Sequence, residues 1–115
     1  MQLLFFIPAN SDVIAPILSD LVKKQIKGAT VIPCEGMLHA LYDADIEPPP
    51  IFGALRRLSN PAHAEGKIML LAVDDGMVPA VLETVRTHTG DLNKPDTGVL
   101  FTVPISYSEG VAHNE

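Results

Sequence analysis

The 115-residue sequence predicts a small domain of mixed α and β structure, in which two strand–helix–strand units flank a long loop. Short apolar runs bounded by glycine, proline or asparagine indicate buried strands, and they alternate with stretches in which apolar residues recur at helical spacing. The segment 37–66 between the two units is proline-rich and shows no periodicity. Loops of this length inside small domains are uncommon and usually functional.

The first unit begins with an apolar strand at 2–7, which stops at the turn residues PANSD. In the helix that follows, Ser11 or Asp12 is the predicted N-cap, because a side-chain oxygen there can accept from an unpaired amide of the first turn. Gly28 is the predicted helix end. A second strand is predicted in ATVIPCEG, 29–36, with Pro33 at an edge or bulge. The apolar stripe of the helix is Ile14, Ile17, Leu18, Leu21 and Val22.

The second unit begins with KIMLLAV, 67–73, which is apolar on both alternating faces and therefore predicts a central strand. The next helix, over 74–90, has Asp74 or Asp75 as its predicted cap. The last strand is predicted in VLFTVPISY, 99–107, and no structure is expected for the tail 108–115. The inner stripe of the helix is Met77, Val78, Val81, Leu82 and Val85.

The apolar content exceeds what one small core needs. Hydrophobic residues make up 47% of the chain. Two helices cover only one face of a four-stranded sheet, yet the third strand is apolar on both faces, so its second face needs another layer. A neighbouring subunit is the simplest supplier, and either a dimer or a cyclic trimer would bury that face.

Charge and cysteine content exclude several classes of protein. A net charge of −6 and a pI near 5.0 argue against nucleic-acid binding, which needs a basic surface. Cys34 is the one cysteine, so no intrachain disulfide can form. The apolar run at the start stops at Pro8, too short to span a bilayer. We expect a cytoplasmic protein.

Motifs for catalysis or metal binding are weak. The four histidines share no i, i+3 or i, i+4 spacing, so we predict no metal site and keep only Cys34 with His39 as a pair worth testing. No G-x-S-x-G motif is present. The segment TGDLNKPDTG, 89–98, lacks the Walker pattern. It is either a connector or a turn whose free amides, with Lys94, bind an anion.

The stretches GATVIPCEG, KIMLLAVDD and TGDLNKPDTGVLFTVPI resemble the PII nitrogen-regulatory signalling family. The resemblance covers about 1–36 and 67–107. It implies a single α+β domain over 1–115, with a ferredoxin-like βαββαβ fold and an antiparallel four-stranded sheet. It also implies a homotrimer that binds a small effector, such as an adenine nucleotide, in clefts between subunits.

The resemblance also implies site residues. Segment 37–66 corresponds to the family's T-loop, which engages a target transporter or enzyme. The predicted ligand-binding residues are Thr30, Glu35, Gly36, Met37, Gly90, Asp91, Lys94 and Gly98. The predicted partner-binding residues are Tyr42, Phe52, Arg56 and Arg57.

Some positions depart from the family pattern. Val99 stands where typical members carry a phosphate-binding lysine, and Lys94 is the candidate substitute. The tail has no counterpart of the family's C-terminal arginines. The sequence thus predicts a non-enzymatic regulatory protein with a small anionic or nucleotide effector. One alternative is a metal-binding protein resembling CutA, and another is a small enzyme with Asp91 or His88 as base.

Overall fold

The computed structural model describes residues 1–45 and 66–111, apart from the side chains of Leu38, His39 and Tyr42. Its four strands form one antiparallel sheet in the order β2-β3-β1-β4. This arrangement confirms the predicted ferredoxin-like fold, with β3 inside the sheet as its apolar pattern required. The elements are β1 (Gln2–Pro8), α1 (Ile14–Lys23), β2 (Thr30–Cys34), α2 (Met37–Asp43), β3 (Gly66–Val73), α3 (Val78–Thr89) and β4 (Gly98–Pro104).

The core lies between one face of the sheet and the helices α1 and α3. Alternate residues of β1 and β3 point into it, as the two-residue period of a strand requires. Val22, predicted for the inner stripe of α1, is 67% exposed instead. The buried core residues are Leu4, Phe6, Ile14, Ile17, Leu21, Ile26, Met69, Leu71, Val73, Val81 and Val85.

Both predicted boundaries of α1 are wrong. The chain enters the helix through a 3-10 turn, Ser11–Val13, so the capping residue lies one position earlier: Asn10 Oδ1 accepts from the Asp12 amide at 2.9 Å. The helix ends well before Gly28, because Gln25 adopts a left-handed φ of 61° and its amide donates to Val22. The Ile26 amide then donates to Leu21, which is the Schellman pattern.

The second helix of the core also begins through a 3-10 turn, Asp75–Met77. Asp74 occupies the cap position of that turn, as predicted, but makes no side-chain cap hydrogen bond. Asp75 instead forms an ion pair with the amino group of Met1, with 3.0 Å between the nitrogen and Asp75 Oδ1. The carboxylate therefore ties the start of β1 to the end of β3.

The prediction that periodic structure stops at residue 37 is wrong, because α2 begins there. Its segment MLHALYD consists largely of good helix formers. The Ala40 amide donates to Gly36 and the Ala44 amide to Ala40. Seven residues are too few to establish a helical period in the sequence, which explains the error. The short helix predicted at 52–58 lies outside the described residues.

Candidate functional site

The predicted ligand-binding segments lie at one end of the sheet. At this end, Cys34 of β2 pairs with Gly66 of β3, and Pro8 of β1 pairs with Gly98 of β4. The segment 35–37 leaves the sheet here after β2, and the loop 90–98 enters it here before β4. The antiparallel topology therefore brings both predicted segments to the same end.

The loop 90–98 is held together by hydrogen bonds from its own residues. Asp91 accepts twice, at its side chain from the Asn93 amide (2.9 Å) and at its carbonyl from the Lys94 amide (3.1 Å). The Thr97 hydroxyl lies 3.2 Å from the Leu92 carbonyl and 2.9 Å from that of Lys94. The Gly90 amide donates to Arg86 and so closes α3. Three loop amides that could have met an anion thus already have acceptors inside the protein.

Gly98 occupies a position that only glycine fits. Its φ of +133° is a conformation that other residues rarely adopt. A Cβ atom there would lie 2.7 Å from the Ile7 carbonyl oxygen and 2.9 Å from Pro8 Cα. The Ala9 amide donates to the Thr97 carbonyl beside this approach. The glycine therefore lets the loop close onto β1, whatever the loop binds.

The other predicted segment, 35–37, lies on the surface. Glu35, Gly36 and Met37 are all exposed, and Met37 retains 72% of its accessible surface. A Cβ atom at Gly36 would meet nothing within 4 Å. Thr30, predicted for the same site, lies at the opposite end of β2. It is about 13 Å from Cys34, at roughly 3.3 Å per residue.

One chain does not bring the two segments together. They lie at opposite edges of the sheet, separated by three strand spacings, or about 14 Å at roughly 4.8 Å each. This separation exceeds the size of a small anion, so such a ligand cannot contact both segments within a single chain. Of the predicted partner-binding residues, Tyr42 lies in α2, while Phe52, Arg56 and Arg57 lie outside the described residues.

The second face of the sheet is apolar, as the pattern of β3 predicted, and in the described part of the chain no helix packs against it. Phe5 and Phe101 stack across β1 and β4 with ring centroids 4.8 Å apart. Val99, at the position where the family that the sequence resembles carries a lysine, is 55% exposed beside the two rings. The register places on this face Leu3, Phe5, Ile7, Thr30, Ile32, Cys34, Ile68, Leu70, Ala72, Val99, Phe101 and Val103.

A polar contact between α1 and α3 was not predicted from the sequence. Asp20 Oδ2 lies 2.5 Å from His88 Nε2, and Lys24 Nζ lies 2.6 Å from Thr84 Oγ1. The hydrogen bond from His88, together with the charges of His88 and the nearby lysines, lowers the pKa of Asp20. Asp20 and Lys24 are spaced i, i+4, and so are Thr84 and His88. This spacing was the one sign of the contact that the sequence offered.

In the described part of the chain, the alternative functions have no assembled site. Among the described side chains of 1–45 and 66–111, no group of three His, Cys, Asp or Glu could hold a metal ion, and the side chain of His39, predicted as a possible partner of Cys34, lies outside the described set. Cys34 is a half-buried free thiol beside Gly66, where an added Cβ atom would lie 3.1 Å from Sγ. His88 contacts Asp20 on the helix layer. Asp91 structures its own loop.

Two concavities lie away from the predicted ligand-binding residues. One of about 430 Å³ follows the outer side of α3, lined by Pro79, Leu82, Glu83, Arg86 and Thr87. Another, of about 400 Å³, lies between the start of α1 and the strands β2 and β3. Both are open to solvent. None of the described helices is both long and apolar enough to cross a membrane.

The sheet order and the two covering helices define a ferredoxin-like domain. One solved structure that this fold resembles is the crystal structure of Arabidopsis thaliana PII bound to citrate, with a TM-score of 0.60. The alignment covers 91% of this chain and 77% of that chain, at 20% sequence identity. At this identity the likeness establishes the fold. No family model matches the chain, and no curated protein matches its sequence.

Proposed function

We propose that this chain is a trimeric, PII-like regulatory protein that binds a small effector in the clefts between its subunits. One observation carries the proposal: the two predicted ligand-binding segments lie at the same end of the sheet but at opposite edges. In a cyclic assembly, the β2 edge of one subunit can meet the β4 edge of the next. A ligand of ordinary size then contacts both segments.

The apolar sheet face supports the assembly. It includes the stacked rings of Phe5 and Phe101, and Val99, Phe101 and Val103 are each more than one third exposed in the single chain. Continuous apolar surfaces on soluble proteins usually mark interfaces. Three such faces around a threefold axis supply the second layer that β3 requires. Each subunit is then one domain over 1–115.

The effector is a small anion or an adenine nucleotide. Lys94 is the one cation of the loop 90–98, and no hydrogen bond or ion pair holds its ammonium group among the described residues. The Arabidopsis thaliana PII structure was solved bound to citrate, which makes citrate a natural first probe. Glu35, Gly36 and Met37 stand where β2 leaves the sheet toward 37–66, so a ligand there can favour one conformation of that segment.

Regulation then passes to a protein target, a transporter or an enzyme, through 37–66, where Tyr42, Phe52, Arg56 and Arg57 are the proposed contacts. We infer no catalytic role, because acid, base and nucleophile are not assembled at this end of the sheet in the described part of the chain. The proposed setting is the cytoplasm.

The test begins with the mass of the particle in solution. Sedimentation velocity should give three times the 12.4 kDa chain mass. A monomer contradicts the trimer and the shared site together, while a dimer contradicts the threefold arrangement.

The second step tests the shared site with citrate and ATP in titration calorimetry. Lys94→Ala alters the β4 edge and Met37→Asp the β2 edge, and each alone should abolish binding. Refolding the two variants together at equal amounts should restore about one quarter of the sites, since every mixed trimer contains one junction of two intact edges. A site contained in one chain restores none. If neither probe binds the wild type, the effector assignment fails while the trimer stands.

A further inference from the structure

The pair formed by Asp20 and His88, hereafter the clasp, joins the two helices that cover the sheet. Their side chains meet at 2.5 Å, and both are part-buried, with 34% and 24% of the side-chain surface exposed. One turn further along α1 and one turn back along α3, Lys24 meets Thr84 at 2.6 Å. Thr84 is 1% exposed and also donates to the Ala80 carbonyl.

The clasp lies directly before the loop 90–98. His88 belongs to the last turn of α3, and the Gly90 amide closes that turn by donating to Arg86. Leu92 then packs partly against the core. The far end of the loop is fixed separately, where Gly98 closes onto β1. The conformation at the start of the loop therefore depends on how firmly α3 is held in its last turn.

The clasp pairs a carboxylate with an imidazole, the side chain that serves proteins as a switch at physiological pH. The lowered pKa of Asp20 keeps its carboxylate ionised there. A neutral His88 can donate one hydrogen bond to the Asp20 carboxylate, and a protonated one adds a charge attraction. The charged groups on the facing helix are Asp20 itself and two lysines. Lys23 lies 3.9 Å from Asp20 but is 76% exposed, and Lys24 points to Thr84.

We infer that the clasp makes the order of the loop 90–98 sensitive to protons, the loop being held more firmly when His88 is charged. The inference concerns the loop itself and does not depend on whether the loop binds an effector. If it does bind one, the affinity acquires a pH dependence that comes from a residue outside the site.

Hydrogen exchange measures this directly. Protection factors, corrected for intrinsic exchange at each pH, are compared at pH 5.5 and 7.5 for amides of 90–98, with β1 amides as internal reference. Loop protection in the wild type should fall about twofold to fivefold at the higher pH, as for a partly exposed ion pair. The chain has three other histidines, so variants are needed to assign the effect.

His88→Gln removes the imidazole, and Asp20→Asn removes the carboxylate charge that attracts it, so each variant should lose the pH dependence. Glu83→Gln, an exposed position on the same helix, should retain it. The imidazole NMR signals of His88 should titrate together with the loop amides. Equal protection of the wild-type loop at both pH values overturns the inference, as does a pH dependence that survives in both variants.

Discussion

Replacing Gly98 with alanine should destabilise the protein strongly, although the change adds only one methyl group. The backbone φ of +133° disfavours any Cβ, and strain of this kind costs about 1–3 kcal/mol. The added atom also lies 2.7 Å from the Ile7 carbonyl oxygen and 2.9 Å from Pro8 Cα, so backbone of β1 or β4 must move. Overpacking costs about 1–3 kcal/mol, and with partial relaxation we expect a total loss of about 2–4 kcal/mol.

Urea unfolding followed by circular dichroism gives the free energy of unfolding. A melting temperature lower by about 8–16 °C should accompany the loss, at about 4 °C per kcal/mol. Gly36→Ala is the matched control, because Gly36 has no left-handed φ and a Cβ there meets nothing within 4 Å. It should lie within about 0.5 kcal/mol of wild type or be more stable by up to about 1 kcal/mol. All variants are compared at one protein concentration, since assembly shifts apparent stability.

The two glycines separate structural from ligand roles, because both are predicted ligand-binding residues. An unfolding free energy of Gly98→Ala within about 0.5 kcal/mol of wild type would refute the steric argument. An equal loss of unfolding free energy for Gly36→Ala would also contradict it, since a Cβ atom at Gly36 meets nothing within 4 Å.

Three further predictions use other parts of the structure. Thr84→Ala should lower the unfolding free energy by about 1–2 kcal/mol in urea melts, because it removes a buried methyl group and the acceptor of Lys24; an unchanged midpoint contradicts this. The lowered pKa of Asp20 means that its stabilisation is present above its ordinary value of 3.8 and is lost as pH falls through the folded pKa. Asp20→Asn should therefore be less stable than wild type at pH 5.5, with the gap closing in melts near pH 3; a gap that widens between these two pH values has the wrong sign. Phe101→Asp should shift the particle toward monomer in sedimentation velocity while circular dichroism stays native, because the ring is 45% exposed in the single chain; an unchanged particle mass argues that this face is not the interface.

The strands and the sheet could be predicted from sequence because their signal is continuous. Gly66–Val73 is apolar on both faces, which requires a central position, and β3 has one. Helix boundaries were harder, since the 3-10 turn before α1 is capped by Asn10 rather than by Ser11 or Asp12, although the turn before α3 keeps Asp74 at its expected position. Gln25 took the left-handed position expected of Gly28, because burying Ile26 requires the chain to turn earlier. Pairing of side chains across helices, as between Asp20 and His88, depends on how the helices pack, and the i, i+4 spacing within each helix does not fix that packing.

For the candidate site, the sequence indicated two segments, which the structure places at one end of the sheet, but it did not indicate their separation. Motifs near Gly36 and Gly98 were each recognisable in one stretch of chain. The strand order, which places them at opposite edges of the sheet, is a property of long-range pairing. The resemblance supplied the neighbouring subunit that this separation calls for, and the apolar pattern of β3 pointed to it independently.

The atoms that hold the loop 90–98 in its conformation are different from the atom that gives the loop its positive charge. The conformation is set by backbone amides, the Asp91 carboxylate, the Thr97 hydroxyl and Gly98. The ammonium of Lys94 takes no part in the hydrogen bonds that hold the loop. Lys94 can therefore be exchanged without unfolding the frame around it. Under the proposed function, single substitutions at Lys94 can change which anions the loop attracts while the scaffold is preserved.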